Sequence, residues 1–401
     1  MQKSLPEKNA PAKKICMVAY SYYLYDPRVR REAEAIAQEG FKVDCFCLRG
    51  KGQAKFEKVH DVNIFRLPLS KYRGSSSIKY ALSYILFFVL SFFAVTVSYF
   101  KRRYDIIQFH TLPDFIVLSG IVPKVFGAKL VLDMHEITPE FFMSKFGILM
   151  SHPFIKILKF IEKISNRFSD AVIVVNDPIK RVLVERCKPN SDVIVVMNTT
   201  DESIFCSSQS KQSGGSNGLI VMYHGTLTSI YGVDIAIRAI AKLKDNIPVL
   251  EFRIFGSETE ADNLKELADK IGVSNNVRFM GIVGREEIPK YITEADIGVL
   301  PMVKDGFIDL SFSNKLAEYV SMKIPVVATR LRSTQEYFTD DAIAYFESEN
   351  VEALASKILE LYQNPKKRLL QAEKAYQQYQ RIRWAVMKKQ YIELLDSLIS
   401  Q

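Results

Sequence analysis

Residues 297–328 read IGVLPMVKDGFIDLSFSNKLAEYVSMKIPVVA. The stretch opens on a short apolar run, crosses a loop holding Asp305 and Gly306, and takes on helical spacing from Asn314. It closes on a second apolar run, Pro325–Ala328. Strand, loop, helix and strand in that order form the repeating unit of a parallel sheet. Ser313 stands where a helix N-cap belongs. The free amides at such a helix start attract anions, most often phosphate. Lys315 falls in the first turn, where a positive side chain opposes the helix dipole, and a bound anion explains its presence. Glu318 lies four residues beyond Asn314 on the same face and can accept bonds from hydroxyl groups. By spacing alone, both residues also read as solvated helix positions.

Working outward, the same alternation continues. Leu219–His224, Leu250–Phe255, Asn276–Met280 and Ile343–Phe346 are further candidate strands around the opening stretch. In the first half, Ile15–Tyr20, Val43–Leu48, Ile106–Phe109, Leu130–Asp133 and Ala171–Val175 read as strands buried on both faces. Ala33, Ile36 and Ala37 give a helix between two of them one apolar face, and Gly40 sits at its C′ position. Residues 201–218 are polar and rich in Ser and Gly, as a linker is. The expectation is an α/β protein. It has one doubly wound domain over 1–200, a linker over 201–218 and a second such domain over 219–364. A helical tail, 365–401, packs back towards the first domain. Ligands of such sheets bind outside the C-terminal ends of the strands, so two domains facing each other would enclose a cleft.

The chain has 401 residues, 48% apolar and 25% charged, which excludes a disordered tail or a disulfide-stapled mini-domain. Its net charge is +9, but residues 1–200 carry +12 and the rest −3. A basic half suits nucleic acid, an anionic membrane or an anionic substrate. No nucleic-acid motif accompanies it, so nucleic acid is not expected as a partner. The five cysteines match no zinc spacing. The first 14 residues contain no apolar leader, so a cytoplasmic address is expected. Residues 81–100, ALSYILFFVLSFFAVTVSYF, are uncharged throughout and are followed by Lys101, Arg102 and Arg103. The length suffices to cross a bilayer. A crossing would put strands of one sheet on opposite sides of it, which leaves two readings. Either the helix packs under the sheet, or one side dips into the inner membrane face with the cations of 81–103 at the headgroups.

Three histidines end predicted strands: His110, His135 and His224. A lone histidine is usually a structural hydrogen-bonder, but three at strand ends point to a site. None fits a metal triad by spacing and there is no Asp-x-Asp pair, so neither a metal nor another cofactor is expected. Gly225, Gly232, Gly256 and Gly281 follow or flank strands and suit close backbone approach.

Several segments carry a resemblance: DPRVR at 26–30, YDIIQFH at 104–110, DMHE at 133–136, YHGT at 223–226 with YGVD at 231–234, FRIFG at 252–256, VRFMG at 277–281, and NKLAEY at 314–319 before PVVAT at 325–329. In order and spacing the chain resembles the family-4 retaining glycosyltransferases of the GT-B fold, of the bacterial surface-polysaccharide type. The resemblance implies two Rossmann-like domains facing a cleft. It implies transfer of a hexose, with retention, from a nucleoside-diphosphate sugar to a glycan or lipid-linked acceptor. The setting would be cell-surface polysaccharide or lipopolysaccharide assembly at the inner membrane face. It assigns the donor to Gly225, Thr226, Gly232, Gly256, Gly281, Ser313, Asn314, Lys315 and Glu318, and the acceptor to Asp26, Arg28, His110 and His135. His110, Glu136 and Lys315 carry the catalytic expectation.

The sequence departs from the family at three places. The first carboxylate of the family's donor motif falls at Leu310, with Asp309 or Asn314 as substitutes. The usual phosphate-clamping Arg and Lys fall at Thr226 and Tyr231, leaving Lys315, Arg28 or Arg30 to supply the charge. The loop Tyr22–Arg28 lacks the frequent Gly-Gly pair. Two other readings fit the same fold. One is a nucleotide-sugar epimerase needing no acceptor; the other is a non-catalytic binding subunit.

Overall fold

The computed structural model describes residues 13–72, 74, 76–206, 218–256 and 260–400. The chain forms two compact units. One runs to Val196 and includes Lys388–Gln401; the other is Met197–Met387.

The first unit holds strands β1 (Lys14–Ala19), β2 (Lys42–Leu48), β3 (Phe56–Val59), β4 (Val62–Leu67), β5 (Ile106–His110), β6 (Lys129–Met134), β7 (Ala171–Val174) and β8 (Asp192–Val195). They form one sheet in the order β3-β4-β2-β1-β5-β6-β7-β8. Every pair is parallel except β3 with β4. The helices are α1 (Pro27–Gln38), α2 (Ser77–Arg102), α3 (Ile121–Val125), α4 (Thr138–Phe146), α5 (Pro153–Phe168) and α6 (Asp177–Cys187). Strand order reverses direction beside β1, which puts the sheet's switch point between the C-terminal ends of β1 and β5.

The second unit holds β9 (Gly218–His224), β10 (Val249–Phe255), β11 (Val277–Gly281), β12 (Ile297–Leu300), β13 (Val326–Thr329) and β14 (Ala344–Phe346). All are parallel, in the order β11-β10-β9-β12-β13-β14. Its helices are α7 (Val233–Leu243), α8 (Ala261–Lys270), α9 (Ile288–Glu294), α10 (Asn314–Ser321), α11 (Arg332–Gln335), α12 (Val351–Gln363) and α13 (Pro365–Tyr379). The last helix, α14 (Trp384–Ser400), begins in this unit and ends in the first.

The central strands form because their residues are apolar on both faces. β1, β5 and β12 bury almost every side chain. Gly40 ends α1 as expected, with φ +90° and its N–H on Ala37 O at 3.0 Å. The hairpin β3–β4 was not expected from the sequence. Its two turn residues, His60 and Asp61, both take positive φ (+46° and +64°) without glycine, so the usual turn signal is absent. The expected linker lies largely outside the described residues, which resume at Gly218. The helical stretch expected from 365 divides between the two units. α13 belongs to the second unit, where Gln371 Nε2 donates to Val326 O at 3.0 Å, and the break falls at Met387/Lys388.

One buried cluster in the first unit holds more acid than base. Asp114, Glu140 (α4) and Glu162 (α5) are buried around Arg186 of α6, which reaches Glu140 at 2.5 Å and Glu162 at 3.0 Å. Burial pushes the Asp114 carboxyl up to about 7, against a hydrogen bond from Thr138 and the charge of Arg186. Burial likewise raises Glu162 to about 8, against Arg186. A carboxyl raised on folding binds more protons in the native state. Its stabilising effect is therefore present at low pH and lost as pH rises through the folded value. Replacing Asp114 by Asn removes that loss. The stability of Asp114→Asn relative to the parent is expected to rise from pH 5 to pH 7, by about 1 kcal/mol per pH unit. Urea midpoints of both proteins across that range check it; a pH-independent difference would contradict it.

Candidate functional site

Two sets of polar groups sit at strand C-termini, one in each unit. In the first unit, β5 ends in His110 and β6 in Asp133–Met134, with His135 and Glu136 just beyond. α1 starts beside them, capped by Asp26, whose carboxylate accepts from the amides of Arg28 and Val29 at 3.2 Å. Asp133 is fully buried with four nitrogens within hydrogen-bond distance. Arg28 reaches both its oxygens, Nη2 to Oδ1 at 2.6 Å and Nε to Oδ2 at 2.9 Å. His110 Nδ1 and His135 Nε2 approach Oδ2 at 2.8 and 3.2 Å. Burial alone would raise Asp133, but Arg28 and the histidines hold its carboxyl well below the usual range. Burial likewise opposes a charge on His135, and Asp133 overrides it and raises the imidazole.

If Nδ1 of His110 spends its proton on Asp133, Nε2 becomes a bare acceptor. That Nε2 is buried and has no partner. His110, His135, Glu136, Asp26 and Lys71 line one cavity of about 220 Å³, with Tyr80 and Tyr84 on its wall. Burial raises the Glu136 carboxyl, against His135, Lys145 and Lys71. A bare imidazole nitrogen and a reluctant carboxylate facing one small cavity suit the binding of sugar hydroxyls.

Arg28 does not have the expected acceptor role. Beyond Asp133 it contacts Glu32 at 3.1 Å and donates to Val196 O at 2.8 Å, and only 2% of it is exposed. Nor is it available to neutralise a diphosphate. Arg30 is paired with Glu34. His110, Asp133 and His135 also bring three ligand atoms within 4.8 Å of one another, a grouping that sequence spacing missed. Arg28 already occupies both carboxylate oxygens, and its charge repels a cation, so the trio fits a hydrogen-bond network better than a metal.

In the second unit, β9 ends at His224 and β10 at Phe255, and the backbones after them nearly touch. A Cβ on Gly256 would lie 2.1 Å from Gly225 O. Gly225 has φ +124°, and a Cβ there would lie 2.0 Å from Cε of Lys315. Gly232 has φ +61° and comes equally close to Pro301 O. These glycines let the two loops and the Lys315 stem share one place. Gly281 ends β11 with φ +74°. Gly225, Thr226, Gly256 and Glu318 line a cavity of about 350 Å³ with His224, Arg285 and the apolar Phe255, Ile282 and Ile288.

α10 begins beside this region. Ser313 occupies the N-cap with extended backbone, but its hydroxyl makes no cap bond. Leu316 N–H returns to Ser313 O at 3.1 Å, leaving the amides of Asn314 and Lys315 as open donors. Asn314 Oδ1 is buried without a partner. The Lys315 ammonium lies 4.2 Å from the centre of the Tyr231 ring and 5.7 Å from that of Tyr223. Burial lowers it to about 8, against the pull of Glu318. Burial raises Glu318 to about 7, against Arg285 and Lys315. His224 Nε2 stands 3.5 Å from Glu318, and burial followed by Lys315 lowers it to about 3. The neutral imidazole and the distance make this a loose contact, not an ion pair.

The departures from the family pattern are explained in part. Leu310 is buried, so no carboxylate stands there. Asp309 is no substitute, because Arg332 holds it through its amide at 2.9 Å and its Nε at 2.6 Å. Asn314, with its orphan oxygen, keeps that option. Tyr231, where the family has a cation, serves as a platform for Lys315.

The profile described as "Glycosyltransferase Family 4" matches residues 28–203, and that of "Glycosyl transferases group 1" matches residues 208–378. The chain belongs to the family-4 glycosyltransferases of the GT-B fold. A Candida albicans chitobiosyldiphosphodolichol beta-mannosyltransferase is 22% identical over 323 residues, 76% of this chain and 70% of its own length. Two solved structures share the fold. Sucrose-phosphate synthase from Thermosynechococcus elongatus has a TM-score of 0.77 and 16% identity, over 97% of this chain and 99% of its own. Anabaena HepE in complex with UDP has a TM-score of 0.72 and 17% identity, over 96% and 100%. The protein is a nucleotide-sugar-dependent glycosyltransferase.

The charge state of Lys315 gives the site a pH signature. Affinity for a nucleoside diphosphate is expected to fall as pH rises through 8, where the free ammonium loses its proton. Lys315→Arg should abolish that fall. Calorimetric titration with UDP and GDP from pH 6.5 to 9 checks it; a parallel decline in both proteins would point to another group.

Proposed function

We propose that the chain is a retaining transferase that moves a hexose from a nucleoside-diphosphate sugar to a lipid-linked acceptor at a membrane surface, in the assembly of a cell-surface polysaccharide. In this reading the second unit binds the donor. The ribose hydroxyls meet Glu318, and the diphosphate meets the open amides of Asn314 and Lys315 and the Lys315 ammonium. No metal is called for, because those groups supply the neutralising charge. The first unit binds the acceptor and the transferred sugar around His110, His135 and Glu136. Catalysis then comes from stabilising the leaving diphosphate and from aligning donor carbon with acceptor hydroxyl. Retention rests on the family resemblance, and the acceptor hydroxyl would attack on the face the diphosphate leaves.

The lipid-linked acceptor and the membrane surface rest on α2. Its inward face, Tyr84, Phe87, Val95 and Tyr99, is buried, the helix packing mainly on residues 114–120 and α3 and touching β1. Its outward face is just as apolar: Leu82, Ile85, Leu86, Val89, Phe93 and Phe100 are exposed, Phe93 to 61%. A helix of this length and composition is able to cross a bilayer. Both of its ends join strands of one sheet and one face is occupied, so in this reading it lies along the membrane surface instead of crossing. Tyr80 and Tyr84 near its start line the same cavity as His110 and Glu136. A lipid tail along the outward face would lie on the same helix whose start lines that cavity. The Candida albicans relative is named for a chitobiosyldiphosphodolichol acceptor, which supports the same reading.

The test is a transfer assay with a panel of nucleotide sugars and polyprenyl-diphosphate sugars in vesicles. Sugar incorporation into lipid product is expected, with retained anomeric configuration by NMR. Leu86→Ser with Phe93→Ser should keep the fold and lower incorporation by tenfold or more, because each exposed side chain contributes about 1.5–3 kcal/mol when buried in an apolar phase. Transfer only to water-soluble acceptors, unaffected by those changes, would overturn the reading.

A further inference from the structure

α5 carries a second unpartnered face. Its inward side chains, Ile155, Glu162, Ser165 and Asn166, are buried. On the opposite side Ile157, Phe160 and Ile164 are exposed, Phe160 to 63%, at the spacing of one helical ridge. Lys156, Lys159 and Lys163 form a stripe directly beside that ridge, and no carboxylate or other partner meets them among the described residues. The one acid of α5, Glu162, is turned inward to Arg186. The loop leading into the helix exposes Leu149 and Met150. An apolar ridge with lysines alongside matches a helix lying in the headgroup region, with its side chains dipping inward and its ammonium groups reaching phosphates.

The layer between α5 and α2 is continuous. Residues 114–120 pack against both helices, and α3 packs against α2. Phe126, just after α3, meets Phe100 of α2 with ring centres 5.2 Å apart, and Tyr99 donates to its carbonyl at 2.6 Å. Lys124 of α3 donates to Phe168 O at the end of α5 at 2.8 Å. The outward faces of α2 and α5 therefore belong to one layer on one side of the sheet.

We infer that α5 is a second membrane anchor, specific for an anionic leaflet, in which Lys156, Lys159 and Lys163 bind lipid phosphates while Ile157, Phe160 and Ile164 enter the acyl boundary. The proposal extends the membrane reading of α2 and rests on it. The two faces divide the work: α2 has an apolar surface and holds any bilayer, whereas the lysine stripe of α5 selects negative charge.

Co-sedimentation of the full chain with phosphatidylcholine vesicles, with and without phosphatidylglycerol, tests this. The triple variant Lys156→Gln, Lys159→Gln, Lys163→Gln should bind phosphatidylglycerol vesicles roughly 100-fold more weakly, from three surface lysines. Its binding to neutral vesicles should stay unchanged. Added salt should weaken the parent on anionic vesicles and leave the triple variant nearly unaffected. The outward α2 variant, Leu86→Ser with Phe93→Ser, should weaken binding to both vesicle types. If the triple variant, folded by circular dichroism, matches the parent on anionic vesicles while the α2 variant does not, the inference for α5 is overturned and α2 stands. If the parent binds neither vesicle type, both readings fall.

Discussion

The carboxylate of Asp133 is fully buried at the end of β6 in the first unit, held by Arg28 on both oxygens. Around that pair the unit is tied together. Arg28 also holds Glu32 and the carbonyl of Val196, Glu32 accepts from Gln108, and Gln108 accepts from Tyr391 of α14. α1, β5, β6 and the end of the chain thus share one polar network. Such a pair stabilises little beyond what apolar residues would, but losing one partner strands a buried charge at about 3–5 kcal/mol. What the network contributes is position. It sets the rings of His110 and His135 at the C-terminal ends of β5 and β6 and leaves Nε2 of His110 with no partner among the described residues.

The second unit reaches a comparable result by different means. Glycines allow the loops after β9 and β10 to close on each other and on Lys315. The start of α10 keeps open amides because Ser313 makes no cap bond and Asn314 Oδ1 stays unbonded. Lys315 and Glu318 sit partly buried with shifted protonation, each supporting the charge of the other. Buried polar groups without partners are costly, and native proteins keep them where a ligand completes them. Both units share that incompleteness at the C-terminal ends of their strands.

Most of the fold was legible in the sequence because the parallel strands are apolar on both faces and announce themselves as short runs. The hairpin β3–β4 was not, because Phe56–Val59 is exposed and its turn uses His60 and Asp61 instead of glycine. The strand, loop and helix that carry Lys315 and Glu318 were legible from the pattern of residues 297–328. Arg28 was misread. A helix-start arginine gives no sign in sequence that a carboxylate about a hundred residues away consumes it. Leu310 and Asp309 show the same limit, since only the structure turns Asp309 to Arg332. In α2 the composition is apolar all round, so nothing in the sequence separates the buried Phe87 from the exposed Phe93. α5 escaped notice because its ridge is only three residues long and its lysines resemble an ordinary solvated face.

The central claim is that a nucleoside diphosphate completes the open start of α10. Hydrogen exchange of the amides of Asn314, Lys315 and Thr226, with and without saturating UDP or GDP, measures it most directly. The account predicts that these amides slow markedly with at least one diphosphate and not with the corresponding nucleoside. Protection confined to other segments, with Asn314 and Lys315 exchanging as before, would contradict it.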